Sequence, residues 1–179
     1  MKKAIFVALF CMLISSAWSQ TEQVNIIKIN PLSFLLKTGY VSFEHKIDDH
    51  SSWQMGLAYM AGYDDGITKF NGLILTPEYR IYCKDNALSG FYIGPFLRYQ
   101  NFTLDRQFDS SAKLTTFGGG VVFGRQWVYY KGFVMDIFAG PMYNAGKPQD
   151  ITGAATFNDT GLGLNNFFFR FGLSLGFGF

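Results

Sequence analysis

Past residue 14 the chain contains no apolar run approaching the roughly 20 residues that a membrane-crossing helix requires. Covalent cross-linking is almost absent as well, since the only cysteines are Cys11 and Cys83. Cys11 lies inside an early apolar run, directly behind the bulky Phe10, a position that suits a buried leader cysteine rather than a lipidated one. One remaining thiol cannot form an internal disulfide, so stability has to come from another source. A surplus of one charge is also missing: 15 Lys+Arg face 13 Asp+Glu, and loss of Lys2 and Lys3 with a leader leaves 13 against 13. That balance excludes the basic surplus expected of a nucleic-acid binder.

What is present begins with an export signal. Lys2 and Lys3 form a positive start, residues 4–14 are apolar but too short to span a bilayer, and Ala17, Trp18 and Ser19 supply a cleavage-site pattern. We expect a signal peptide over residues 1–19 and a single domain over 20–179. The far end alternates strictly. Phe167, Phe169, Phe171, Leu173, Leu175, Phe177 and Phe179 fall on one side of a strand, and Asn166, Phe168, Arg170, Gly172, Ser174, Gly176 and Gly178 on the other. So many aromatics on an exposed soluble edge would invite aggregation, whereas a closed barrel in lipid pairs both strand edges and solvates the apolar face with acyl chains. Hydropathy misses such strands because only every second residue meets lipid.

Eight segments of period-two character follow the leader, over residues 26–36, 39–47, 52–63, 70–83, 90–104, 113–129, 133–144 and 164–179, with no convincing helical periodicity. Turn formers separate them, including Asp48, Asp49, His50 and Ser51, then Asp64, Asp65 and Gly66, and then Lys84, Asp85 and Asn86. The spacing predicts an eight-stranded antiparallel up-and-down transmembrane β-barrel. With the amino end in the periplasm, the two longest polar loops, 105–112 and 146–163, face outward, as short-turn and long-loop asymmetry requires. The first outer connection is then unusually short.

Parity assigns the faces. Lys28, Glu44, Lys46, Glu78, Arg80, Arg98, Asp136 and Arg170 point inward, with Gln54, Gln100 and Tyr82, and form an expected lumen charge network. Eight strands enclose little beyond their own side chains, so these groups should plug the barrel rather than line a pore. Two aromatic belts are expected, one from Trp53, Phe91, Trp127, Tyr129 and Phe133 near the periplasmic ends and one from Tyr59, Tyr99 and Tyr143 near the outer ends. Phe133 to Tyr143 spans about 25 Å at ordinary rise and tilt, the height of an apolar band. Arg125 turns lipidward but sits beside Trp127, where it can snorkel. Pro31, Pro77, Pro95 and Pro141 fall inside strands and are read as bulges or bends.

The terminal Phe179, preceded by Phe177, Leu175 and Leu173, resembles the assembly signal of bacterial outer-membrane β-barrels. The runs Lys28-Ile29-Asn30-Pro31-Leu32-Ser33, Thr76-Pro77-Glu78-Tyr79-Arg80 and Gly90-Phe91-Tyr92-Ile93-Gly94-Pro95-Phe96 resemble a family of small outer-membrane barrels of Bacteroidota-type bacteria, whose function is unknown. OmpA-like and OmpX-like eight-stranded barrels are the broader analogy. The resemblance implies a Gram-negative outer-membrane location, the barrel-assembly machinery and outer-membrane lipids as partners, and a monomer. It transfers a fold and not a reaction.

Chemical motifs fail on geometry. A lipopolysaccharide deacylase needs serine, histidine and carboxylate together, yet Ser42 and Glu44 share a face that His45 does not. His45, His50, Asp48 and Asp49 read as a solvated turn rather than a metal site. Gly140 to Lys147 has one residue too many for a P-loop, and Gly118-Gly119-Gly120 lacks the helix a phosphate cradle needs. No catalytic residue, cofactor or metal is expected. The expectation is a structural or surface-interaction protein that presents its outer loops to other molecules. A narrow small-solute channel, with an inward positive excess favouring anions, and a lipopolysaccharide-modifying enzyme are the alternatives. A secreted lipocalin-like barrel is the rival fold, with the apolar set facing inward.

Overall fold

The computed structural model describes residues 23–64, 68–84, 87–106, 110–150 and 166–179. The expected leader lies outside them, as do residues 151–165. Eight antiparallel strands close into a barrel in sequence order, each paired with its neighbours and the last with the first. They are β1 (Asn25–Ile29), β2 (Thr38–Lys46), β3 (Ser51–Asp64), β4 (Thr68–Tyr82), β5 (Gly90–Arg106), β6 (Ser110–Val128), β7 (Phe133–Asp150) and β8 (Asn166–Gly178). Closure leaves no free sheet edge along the paired lengths. An even number of strands brings both chain ends to one rim, the terminal rim, where the Phe179 amide donates to Asn25 O at 2.8 Å and the Asn25 amide to Phe179 O at 2.9 Å. The closing joint is short: beyond that Asn25–Phe179 pair, β1 meets β8 through Ile26–Ile29 against Leu175–Gly178.

The first segment departs from expectation. Strand β1 stops at Ile29, and Pro31–Leu36 forms a 3-10 helix instead of continuing it. Asn30 caps this helix, its Oδ1 accepting from the Ser33 amide, and Pro31 stands where a missing N–H costs nothing. Lys37 ends it in a left-handed conformation at φ 50°. The unusually short first connection expected from sequence is therefore this six-residue turn, and Leu32, Phe34, Leu35 and Leu36 project from it into the surroundings.

The opposite, distal rim also differs. Residues 105–106 and 110–112 are paired strand rather than loop, with Asp105 opposite Ser111 and Arg106 opposite Ser110. The segment expected to leave the wall at residue 146 stays in it to Asp150, opposite Ala112. Near this rim β3 carries a register shift between Met60 and Tyr63, where Gly62 takes φ 62° and its amide donates to Asn71 Oδ1 at 2.7 Å.

The prolines in the wall are not bulges. Pro77 faces Met55, Pro95 faces Val121 on β6, and Pro141 faces Phe169, while the rungs Pro77 to Leu97, Pro95 to Tyr79 and Pro141 to Val121 are missing. Register is unchanged across each gap, since Leu75 to Tyr99 and Glu78 to Phe96 stay in step, as do Gly120 to Met142 and Phe123 to Ala139. Each proline thus removes donors on one side only and leaves the other ladder whole. Small neighbours fill the gaps: a Cβ on Gly94 or Gly140 would lie 2.0 Å from the backbone oxygen of Tyr79 or Val121.

Faces follow parity. Val41, Leu57, Ile81, Ile93, Leu97, Phe123, Ile137, Phe169 and Phe171 are exposed on the outside, while Lys28, Glu44, Arg80, Gln126 and Asp136 are at most 1% exposed inside. The apolar set faces outward and the charges inward, which removes the lipocalin-like arrangement.

Candidate functional site

The interior near the terminal rim is a closed ionic cluster. Lys28, on β1, donates from Nζ to Glu44 Oε2 at 2.5 Å, Gln126 Oε1 at 2.7 Å and Asp136 Oδ2 at 3.2 Å. From β4, Arg80 sends Nε to Glu78 Oε1 at 2.6 Å and Nη1 to Asp136 Oδ2 at 2.9 Å and Gln126 Oε1 at 3.2 Å. Its ring-facing side lies 4.2 Å from the Tyr92 centroid. The remaining carboxylate oxygens are taken by neutral donors: Ser52 Oγ at 2.5 Å and the Tyr82 hydroxyl at 2.7 Å on Glu44 Oε1, and the Tyr92 hydroxyl at 2.9 Å on Asp136 Oδ1. Arg170 completes the set, with Nη1 at 2.8 Å from Glu78 Oε2 and its guanidinium stacked 4.7 Å from both Phe96 and Phe138. Desolvating these ions is costly, and only this density of partners offsets it.

Beneath the cluster the connection from β4 to β5 folds into the barrel. Leu88, held at φ 74° and 2% exposed, packs with Ile26 and Val134, and its carbonyl accepts from Gln126 Nε2 at 2.8 Å. The Ala87 amide reaches Asp49 O at 2.8 Å, tying this floor to the neighbouring turn. In that turn Asp48 accepts from the Ser51 hydroxyl at 2.7 Å and the His50 amide at 2.8 Å, bonds that hold its carboxyl below the ordinary aspartate range.

The eight charges singled out from sequence do not all join. Lys28, Glu44, Glu78, Arg80, Asp136 and Arg170 do. Lys46 sits at the rim and pairs with Asp49 of the turn at 2.8 Å. Arg98 lies higher in the lumen, half-buried, and its buried Nε has no acceptor. Sequence reasoning passed over Gln126, Tyr92, Ser52 and Leu88. The first three share the inward parity of their strands, which was the available signal, whereas an inward-folded turn leaves none.

Outside, Trp53, Tyr59, Phe91, Tyr129, Phe133 and Tyr143 are exposed, and Tyr99 and Trp127 half-buried. Arg125 is outward, its guanidinium 4.7 Å from the Phe91 ring and 4.9 Å from the Trp127 ring. Of the terminal residues, Phe177 and Phe179 are exposed and Leu173 and Leu175 half-buried on the same outer face. Ser42 and Glu44 are inside, but the His45 ring bonds Asn25 Oδ1 at 2.8 Å beside Trp53. No three His, Cys, Asp or Glu residues gather as metal ligands among the described residues.

A family model described as "Protein of unknown function (DUF3575)" matches residues 5–165. No curated protein matches the chain. Among solved structures, the N-terminal β-barrel domain of Pseudomonas aeruginosa OprF is similar, at 15% identity and a TM-score of 0.50, over 89% of this chain and 100% of that one. That likeness is one of fold.

Proposed function

Taking as premise that the chain belongs to the DUF3575 family of proteins of unknown function, we propose that it is an integral outer-membrane protein of a Gram-negative, Bacteroidota-type bacterium. Its role in this reading is structural or surface-interactive, and it is not a catalyst. The observation that carries it is the inversion of an ordinary globular protein: Lys28, Glu44, Arg80 and Asp136 are at most 1% exposed inside, while Leu97, Phe123, Ile137 and Phe171 are 48–75% exposed outside. Such an exterior is stable against acyl chains and not against water. The ionic cluster and the Leu88 floor act as a plug. Phe179 and the alternating residues before it serve as the assembly signal, the two sets of outward aromatics anchor the barrel at the headgroups, and the distal segments beyond residues 105 and 146 meet surface partners.

The test is expression of the full chain in a Gram-negative host. Recovery in urea-resistant outer-membrane fractions with heat-modifiable gel migration supports the reading, and a soluble periplasmic product overturns it. Steady single-channel conductance in planar bilayers replaces the plugged barrel with a channel. An altered lipid A mass in a deletion strain replaces it with an enzyme.

A further inference from the structure

Among the described residues the interior charges do not cancel, and the remainder is localised. Three cations, Lys28, Arg80 and Arg170, meet three carboxylates, Glu44, Glu78 and Asp136, and every oxygen of those carboxylates is engaged. Both oxygens of Glu78, the carboxylate that pairs with Arg170, are taken, Oε1 by Arg80 and Oε2 by Arg170. Arg98 is the inward cation left over. The charged group beside it is Arg170, whose guanidinium stacks 4.7 Å from Phe96, two residues before Arg98 on the same face of β5, and no carboxylate among the described residues pairs with Arg98. Tyr40 reaches the same level of the lumen, since Gly56 pairs with Thr76, which the unbroken register of β4 and β5 sets opposite Arg98. It lies over Gly56, where a Cβ would come 2.6 Å from the Tyr40 hydroxyl. The Arg98 Nε is buried without an acceptor. Arg170 beside it brings further donors and a like charge rather than an acceptor, and leaving such a donor unmade is costly.

We propose that Arg98, Arg170 and Tyr40 form a binding site for a small oxyanion, of the phosphate or carboxylate class, inside the barrel above the ionic plug. A planar guanidinium fork matches two oxygens of such an ion, and the half-buried position of Arg98 leaves it in reach of water. A bound anion supplies the acceptor that Nε lacks and separates the two like charges. The plug beneath remains balanced without it, so the site adds to the barrel and does not hold it together.

The experiment uses the full mature barrel in maltoside micelles, which carry no phosphate, with the arginine Nε–Hε resonances followed by NMR. Sodium phosphate is added at constant ionic strength against sodium chloride. The expected result is a saturable shift of the Arg98 resonance with a midpoint of about 1–10 mM, corresponding to weak binding. Sodium acetate shifts the same resonance. The Arg170 Nε–Hε resonance shifts with it and is the readout in the variants: R98Q loses the response, R98K weakens it about tenfold or more by removing the fork, and R125Q on the outer face leaves it unchanged. Heat-modifiable migration establishes that each variant is folded. No saturable shift up to about 100 mM, an equal response to chloride, or an undiminished response in folded R98K overturns the site.

Discussion

Removing Glu44 is the sharpest probe of the interior, because it separates the worth of one ion pair from the cost of an unpaired ion. Glu44 takes Lys28 and Arg80 on Oε2, and Ser52 and Tyr82 on Oε1. The variant E44A leaves three buried cations facing two carboxylates and strips Lys28 of its nearest anion, which should cost about 3–5 kcal/mol. Deleting the pair together behaves differently. In K28M/E44L the survivors still balance, since Arg80 keeps Asp136 at 2.9 Å and Glu78 at 2.6 Å, and Arg170 keeps Glu78 at 2.8 Å. What is lost is chiefly the acceptor for Ser52, that for Tyr82 and the contact of Lys28 with Gln126, at about 1 kcal/mol each. The double variant is therefore expected to be about 1 kcal/mol more stable than E44A alone, with a coupling energy of at least that size. Urea unfolding of the mature barrel in phospholipid vesicles, followed by the fluorescence of Trp53 and Trp127, measures it. If the double variant loses as much as the sum of the singles, the interior is a solvated set of charges and not a closed network.

Other expectations follow from the wall. The variant I137R places a guanidinium on the outward face of β7 and should cost about 2–4 kcal/mol in vesicles, whereas an arginine at Tyr129, near the rim, should cost about 1 kcal/mol or less; equal costs measured by urea titration would remove the apolar band. G140A forces a Cβ to within 2.0 Å of the Val121 carbonyl oxygen and should lower the urea midpoint clearly, while G39A, with nothing within 4 Å, should not. L88A should cost about 2–4 kcal/mol through the cavity it leaves beneath the cluster, read by the same titration, and no change in midpoint would show that the turn does not form a floor.

Strand number, face and order were legible because a wall between two solvents of opposite polarity writes its parity into every strand. The signal stops where that contrast stops. At residues 110–112 and 145–150 the hydrogen-bonded ladder continues past the alternating stretch, so polar sequence reads as loop although the backbone stays paired. The segment after Ile29 went the other way: an apolar run concealed a helix whose start was marked by Asn30 and Pro31. Parity also says which residues point inward without saying which of them meet. Lys28 reaches Gln126 and Asp136 across separations of 98 and 108 residues, and that choice belongs to the stagger of the closed sheet. Arg98 shared the inward parity of the clustered charges, and only coordinates distinguish it from them.

The joint that closes the ring has a mechanical consequence. Both chain ends leave from it, and β1 is a stave of five residues gripped on one side by β2 and on the other by a still shorter length of β8. A tether pulling on the amino end loads those few rungs alone, so β1 should be extracted as a first discrete step. The same load applied through Phe179 must strip β8 from β7 over Phe133–Asn144 as well before β8 comes away. The hoop is strong everywhere except at its clasp.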